Sequence, residues 1–99
     1  MLDLAIVVGF EWDDGNARKN EKHGVMAMEA EQVFFNEPLL LLDDVRHSEA
    51  EARFHALGRT DNGRLLQITF TLRAQGTRIR VISARDMHRK ERSIYGQKA

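Results

Sequence analysis

The sequence predicts an α+β fold in which an N-terminal strand and two helices pack on an antiparallel meander sheet, followed by a C-terminal helix. Three observations predict it. Residues 53–85 alternate apolar and polar side chains in three successive runs separated by two short turns, which is the period of a half-buried antiparallel sheet. Residues 13–34 abandon that alternation for helical spacing. From Met87 onward the alternation is lost again and a charged helix is expected.

Residues 5–12, rich in β-branched and aromatic side chains, predict the first strand. Asp13 stands at an N-cap position with Asp14 in the first turn, so a helix runs from there through Lys22. His23 and Gly24 close it, a cation in the last turn followed by a residue tolerant of positive φ. This helix is polar nearly all round, so its inward contacts fall to residues such as Ala17 and Asn20. Met26, Ala30, Val33 and Phe34 form one stripe of a second helix, an apolar lid ended by Pro38. Residues 39–42 are a short apolar run that fits either a brief strand or a buried connector, and residues 43–50 read as a charged loop.

The meander follows. Residues 53–59 form one strand, and Thr60-Asp61-Asn62-Gly63 supplies a turn. Residues 64–73 place Leu66, Ile68, Phe70 and Leu72 on one face and Gln67, Thr69 and Thr71 on the other, before Ala74-Gln75-Gly76 turns again. In the last strand strict alternation sets Arg78 and Arg80 opposite Ile79, Val81 and Arg85. No repeat or linker divides the chain, so one domain over residues 1–99 is expected, long enough to bury its own core.

Composition removes several chemistries. Without cysteine there is no disulfide, thiolate metal site or thiol nucleophile. The apolar run at residues 4–9 is too short to span a bilayer, no secretory pattern accompanies it, and a soluble cytoplasmic protein is expected. The zero net charge conceals a division: residues 1–52 carry four Lys or Arg against twelve acids, and residues 53–99 carry eleven against three. Such a chain either presents a basic face to an anion or neutralises its own halves across the fold.

The polar side of the meander holds Arg53, Arg59, Arg64, Arg73, Arg78, Arg80 and Arg85. Guanidinium forks bind phosphate bidentately, so arginines converging on one face suit a phosphodiester, although strand arginines also serve as solubilising edge guards. Candidates for proton transfer are His23, His47, His55 and His88, with Lys22, Glu49, Glu51, Glu91 and Tyr95. Each histidine has a plainer reading: a helix C-terminal cation, a member of a charged loop, a residue of an amphipathic strand, and a member of a basic helix. No metal-binding pair on one helix and no glycine-rich phosphate loop occurs, and Ser83 has no histidine adjacent in sequence, so neither a metal site nor a hydrolase triad is supported. What the residues suit is metal-independent cleavage of RNA, in which the 2′-hydroxyl is the internal nucleophile and the protein supplies a base, an acid and cations.

The ordered set Phe10-Glu11-Trp12-Asp13, Lys19-Asn20-x-Lys22-His23-Gly24-Val25, Asp43-Asp44-x-Arg46-His47-Ser48, Glu51-x-Arg53-Phe54, Ala56-Leu57-Gly58-Arg59, Gly63-Arg64-Leu65-Leu66, Arg80-Val81-Ile82-Ser83-Ala84-Arg85, Glu91-Arg92 and Tyr95 resembles the BrnT family of type II toxins. The resemblance covers nearly the whole chain. It implies a RelE-like fold, a ribonuclease that arrests translation without a cofactor, and neutralisation by a BrnA-like antitoxin, through which alone the toxin meets DNA. It further implies that Lys22 and His23 face the RNA with Arg59, Arg64 and Arg85 contacting phosphate and Ser83 or Tyr95 nearby, so that Lys22, His23, Arg59, Arg64, Ser83 and Arg85 are the expected catalytic set. Arg78, Arg80, Arg92 and Tyr95 are expected to bind RNA, and the last helix to form an antitoxin or RNA edge. His47, Glu51 and Arg53 are either catalytic or pin their loop with an ion pair, and pinning is the expectation. The competing readings are a catalytically inactive partner-binding module of this fold and a stand-alone nucleic-acid-binding protein.

Overall fold

The computed structural model describes residues 2–47 and 51–98. Its elements in chain order are β1 (Gly9–Glu11), α1 (Asp14–Lys22), α2 (Ala27–Val33), β2 (Leu40–Asp43), β3 (Arg53–Arg59), β4 (Leu65–Arg73), β5 (Arg78–Asp86) and α3 (Arg89–Lys98). Short 3-10 turns occupy Leu4–Ile6 and Val45–His47. The described strands form one sheet in the order β1-β5-β4-β3-β2, with β1 parallel to β5 and every other pairing antiparallel. The expected α+β arrangement is present, with the sheet mixed rather than purely antiparallel.

The core lies between the sheet and the first two helices, where Val25, Ala30 and Val33 meet Leu66, Ile68, Phe70, Ile79 and Val81, all within 2% of complete burial. Phe70 anchors a chain of ring contacts to Phe34 and Phe54. Gly58 allows α2 to approach β3, because a Cβ there would lie 2.7 Å from Val33 Cγ1. β1 covers only the first residues of β5, leaving the rest of that edge without a strand. Helix α1 fills the gap with two asparagines one turn apart: Asn16 Nδ2 donates to the Val81 carbonyl at 2.9 Å, and Asn20 Oδ1 accepts from the Ala84 amide at 2.8 Å. A helix with almost no apolar surface is thereby held by buried hydrogen bonds to a strand edge. It ends as expected, with Gly24 at φ +74° and the Val25 amide reaching back to the Asn20 carbonyl at 3.0 Å.

Four local expectations change, and one left open is decided. The first strand shrinks to three residues, because residues 4–6 coil into a turn capped by Asp3. Residues 40–43 resolve as an edge strand rather than a connector. Met26 is the extended N-cap of α2 and is 60% exposed, and the preceding Val25 takes the buried place predicted for it. The polar face is covered at one end by α3, where Tyr95 and Met87 bury Leu57 in a second small core. Finally, the register slips between Thr69 and Phe70, so that Thr69 opposes Ser83 and Phe70 opposes Val81. The extra residue, Ile82, is a bulge that reverses the alternation. It returns Ala84 to the core and sends Arg85 to the face of Arg80, opposite Ile79 and Val81.

Candidate nucleic-acid interface

The polar face is a lattice of rows that cross the strands, with neighbours about 4.8 Å apart. One row reads Glu11, Arg80, Thr71, Arg53 across β1, β5, β4 and β3. The next holds Ser83, Thr69, His55 and Leu42, and the one after holds Arg85, Gln67, Leu57 and Leu40. Arg73 pairs with Arg78 beyond the first row.

Around that first row lies a cleft of about 250 Å³ in which Arg53, Arg73 and Arg80 from three strands meet Lys19 from α1 and, among the described residues, one carboxylate, Glu51. Lys19 reaches it because α1 lies along the β5 edge. The same flank carries Lys22 and Arg18 along an adjoining concavity. Carboxylates from the acidic half hold the cleft arginines in place. Arg80 Nη1 lies 3.0 Å from both Glu11 Oε1 and Asp13 Oδ2, and Arg73 Nη2 lies 3.2 Å from Glu51 Oε1. The hydrogen bonds from Arg80 and from the Asn16 amide keep the Asp13 carboxyl below the usual carboxylate range, and Asp13 in turn raises Arg80. Arg73 Nε is buried and has no hydrogen-bond partner among the described residues. Thus the two charge halves do meet across the fold, yet they meet at the rim of a cleft that four cations still line.

One row away His55 sits in a closed network. Its Nε2 is 3.1 Å from a carboxylate oxygen of the buried Asp44, and its Nδ1 contacts Thr69 Oγ1 at 3.0 Å and Gln67 Nε2. Both ring nitrogens are engaged by the protein. No three His, Asp or Glu side chains converge as metal ligands among the described residues.

The residues singled out from the sequence fall into several places. Arg80 and Ser83 stand on the polar face beside the cleft, and Lys22 lies along its α1 flank. Arg64 leaves the sheet from the opposite face, where its guanidinium binds Asp86 at 2.8 Å, the Gly24 carbonyl at 2.8 Å and Glu29 at 3.2 Å, next to the exposed His23. Arg85 makes a two-pronged pair with Glu91 at 2.7 and 2.9 Å, and Glu91 also accepts from the His88 amide, so this pair fastens the start of α3 to β5. Tyr95 is buried, its phenol raised by burial and donating to the Pro38 carbonyl at 2.6 Å, with exposed Arg59 nearby. Arg92 is exposed and donates to the Met87 carbonyl at 3.3 Å, and Arg78 is exposed at the start of β5. Glu49, Ser48 and the His47 side chain lie outside the described residues.

Sequence reasoning names Lys19 for no site and Arg73 only among the polar-face arginines, and it expects Glu51 and Arg53 to pin their loop rather than to act in catalysis. Glu51 does form an ion pair, and its partner is Arg73. Helical spacing from the inward Asn16 and Asn20 could have placed Lys19 beside β5; nothing in the chain order joins it to Arg73.

A family model described as "Ribonuclease toxin, BrnT, of type II toxin-antitoxin system" matches residues 12–91. Comparison with curated protein sequences gives no match. The matched span runs from the residue before the α1 N-cap to the Glu91 that holds α3, and the three described helices and five-stranded mixed sheet of the chain are consistent with the RelE-like toxin fold. No described helix is long and apolar enough to cross a membrane.

Proposed function

The chain belongs to the BrnT family of ribonuclease toxins of type II toxin–antitoxin systems, and from that premise we propose that it is a metal-independent endoribonuclease that inhibits translation and is neutralised by a BrnA-like antitoxin. It acts in the cytoplasm, touches DNA only through that antitoxin and needs no cofactor. The observation that carries the reading is the cleft of Lys19, Arg53, Arg73 and Arg80. Guanidinium groups from three adjacent strands surround a volume fit for one phosphodiester, and such groups gain strength where a phosphorane accumulates charge. The 2′-hydroxyl of RNA supplies the nucleophile, so the protein's task is positioning, charge stabilisation and proton transfer.

In this reading Arg80 and Arg53 bind the two non-bridging oxygens of the scissile phosphate and Arg73 takes the charge that develops on them. Ser83, one row along, orients the adjacent nucleotide. Lys22, with Arg18 and Lys19, continues the positive strip along α1 for the neighbouring phosphates. His23, Arg59, Arg78 and Arg92 are outer RNA contacts, whereas Arg64, Arg85 and Tyr95 serve first to hold the fold. Purified protein is expected to cut RNA in the presence of EDTA and to leave 2′,3′-cyclic phosphate and 5′-hydroxyl ends. A strict need for divalent metal would overturn the mechanism, and absence of cleavage would overturn the ribonuclease reading.

A further inference from the structure

We propose that Glu51 is the general base of this site, taking the proton from the 2′-hydroxyl that attacks the scissile phosphate; the inference rests on the ribonuclease reading. Among the described residues lining the cleft Glu51 is the carboxylate, and its neighbours there are four cations. The other carboxylates near these arginines hold them from outside the cleft, Glu11 also lying 3.9 Å from Arg73 Nη1. Glu11 and Asp13 grip Arg80 from the β1 and α1 side, and Asp13 also caps α1 through the Asn16 amide. Neither lines the cleft. Asp44 is buried against His55, and both nitrogens of His55 already have partners.

Geometry favours Glu51 further. The backbone beside it is fixed, because Thr71 Oγ1 donates to the Ala52 carbonyl at 2.7 Å and the Asp44 amide donates to the Arg53 carbonyl at 2.9 Å. Arg73 Nη2, 3.2 Å from Glu51 Oε1, orients the carboxylate from one side. A base held by backbone and side chain within reach of the groups that bind the phosphate meets the positional requirement for proton abstraction. As the proton passes to Glu51, the O2′ lone pair forms a bond to phosphorus. The bond from phosphorus to O5′ breaks, its electron pair leaves on O5′, and that oxygen takes a proton from solvent. Products are a 2′,3′-cyclic phosphate and a 5′-hydroxyl, with the base restored when Glu51 releases its proton to water.

The test compares wild type, Glu51→Gln and Glu51→Asp in single-turnover RNA cleavage across pH. Affinity for a 2′-O-methyl RNA of the same sequence and thermal stability are measured in parallel. Glu51→Gln is expected to slow cleavage roughly 10²- to 10⁴-fold, the range that a positioned proton-transfer group supplies. It should also abolish the acidic limb of the pH–rate profile and bind the uncleavable RNA at least as tightly, since a negative charge leaves a cationic cleft. Glu51→Asp should restore the limb with part of the rate. If Glu51 only pins Arg73, Glu51→Gln will lose stability and RNA affinity together and keep the acidic limb, and the proposal fails. An active Glu51→Gln enzyme with an unchanged profile also overturns it while leaving the ribonuclease reading intact. A wild type that cleaves nothing removes both.

Discussion

Arg64, just before β4, and Arg80, within β5, are arginines drawn from the same basic half of the chain, and they are held in opposite ways. Arg64, on the helix-covered side, is saturated by its own chain: two carboxylates and a backbone carbonyl consume its donors, and it ties the β4–β5 end to the loop after α1 and the start of α2. Arg80, on the polar side, is held by carboxylates along one flank only and still lines a cleft shared with Lys19, Arg53 and Arg73. The two differ in where their partners lie rather than in exposure: the bonds of Arg64 come from two sides of the fold, whereas those of Arg80 come from one flank and leave it lining the cleft, as the proposed phosphate contact requires.

The strongest way to break this comparison is Arg80→Ala. Cleavage should fall about 10²- to 10³-fold, as when a donor aimed at developing charge is removed. Stability should fall by only about 1 kcal/mol, because the partners Glu11 and Asp13 are substantially solvated and are left in contact with water. Single-turnover rates and urea unfolding on one preparation measure both. A loss of activity that merely tracks unfolding would make Arg80 another Arg64. The opposite effect on activity is expected of Arg64→Ala: it removes the partner of Asp86, Glu29 and the Gly24 carbonyl, and because Asp86 is largely exposed it should destabilise the protein by only about 1 kcal/mol. Cleavage per folded molecule should be unchanged, measured at a temperature where both proteins are folded.

This contrast explains why the sequence discloses the fold better than the site. The α1 stop at Gly24 and the β3–β4–β5 hairpins are written in local signals, glycine at positive φ and alternation of period two, which act over a few residues. The cleft is assembled from Lys19, Glu51, Arg53, Arg73 and Arg80, and it exists only once β5 lies between β1 and β4. The side of Arg85 was illegible for another reason. A bulge adds one residue to a strand without changing its composition, so strict alternation through Ile82 gives the wrong face. The internal partners of Arg64 could not be read from its neighbourhood in the chain, because Glu29 and the Gly24 carbonyl lie 35 and 40 residues away.

Arg85 stands between the two extremes, and pH can show which it resembles. It lies on the polar face, yet its fork is closed on Glu91, which also accepts the His88 amide at the entry to α3. Arg85 is the main cause that holds the Glu91 carboxyl below the ordinary glutamate value, with the His88 amide assisting against desolvation. The sign of the linkage follows: a carboxylate lowered in the folded state contributes its full stabilisation above the unfolded pKa, and that contribution disappears as pH falls through the folded value. Arg85 is about one-third exposed, so the pair contributes no more than about 1 kcal/mol. The loss should fall first on α3, because this pair fastens its first turn while Tyr95 secures the far end through an uncharged hydrogen bond to Pro38. Hydrogen exchange of the α3 amides should therefore accelerate, relative to β4, as pH drops below the usual glutamate range, after correction for intrinsic rates. In Glu91→Gln, α3 should be looser at neutral pH and largely indifferent to acid. If α3 in the wild type keeps its relative protection through that interval, Arg85 is not its clasp and belongs with Arg80 as a group oriented for a ligand.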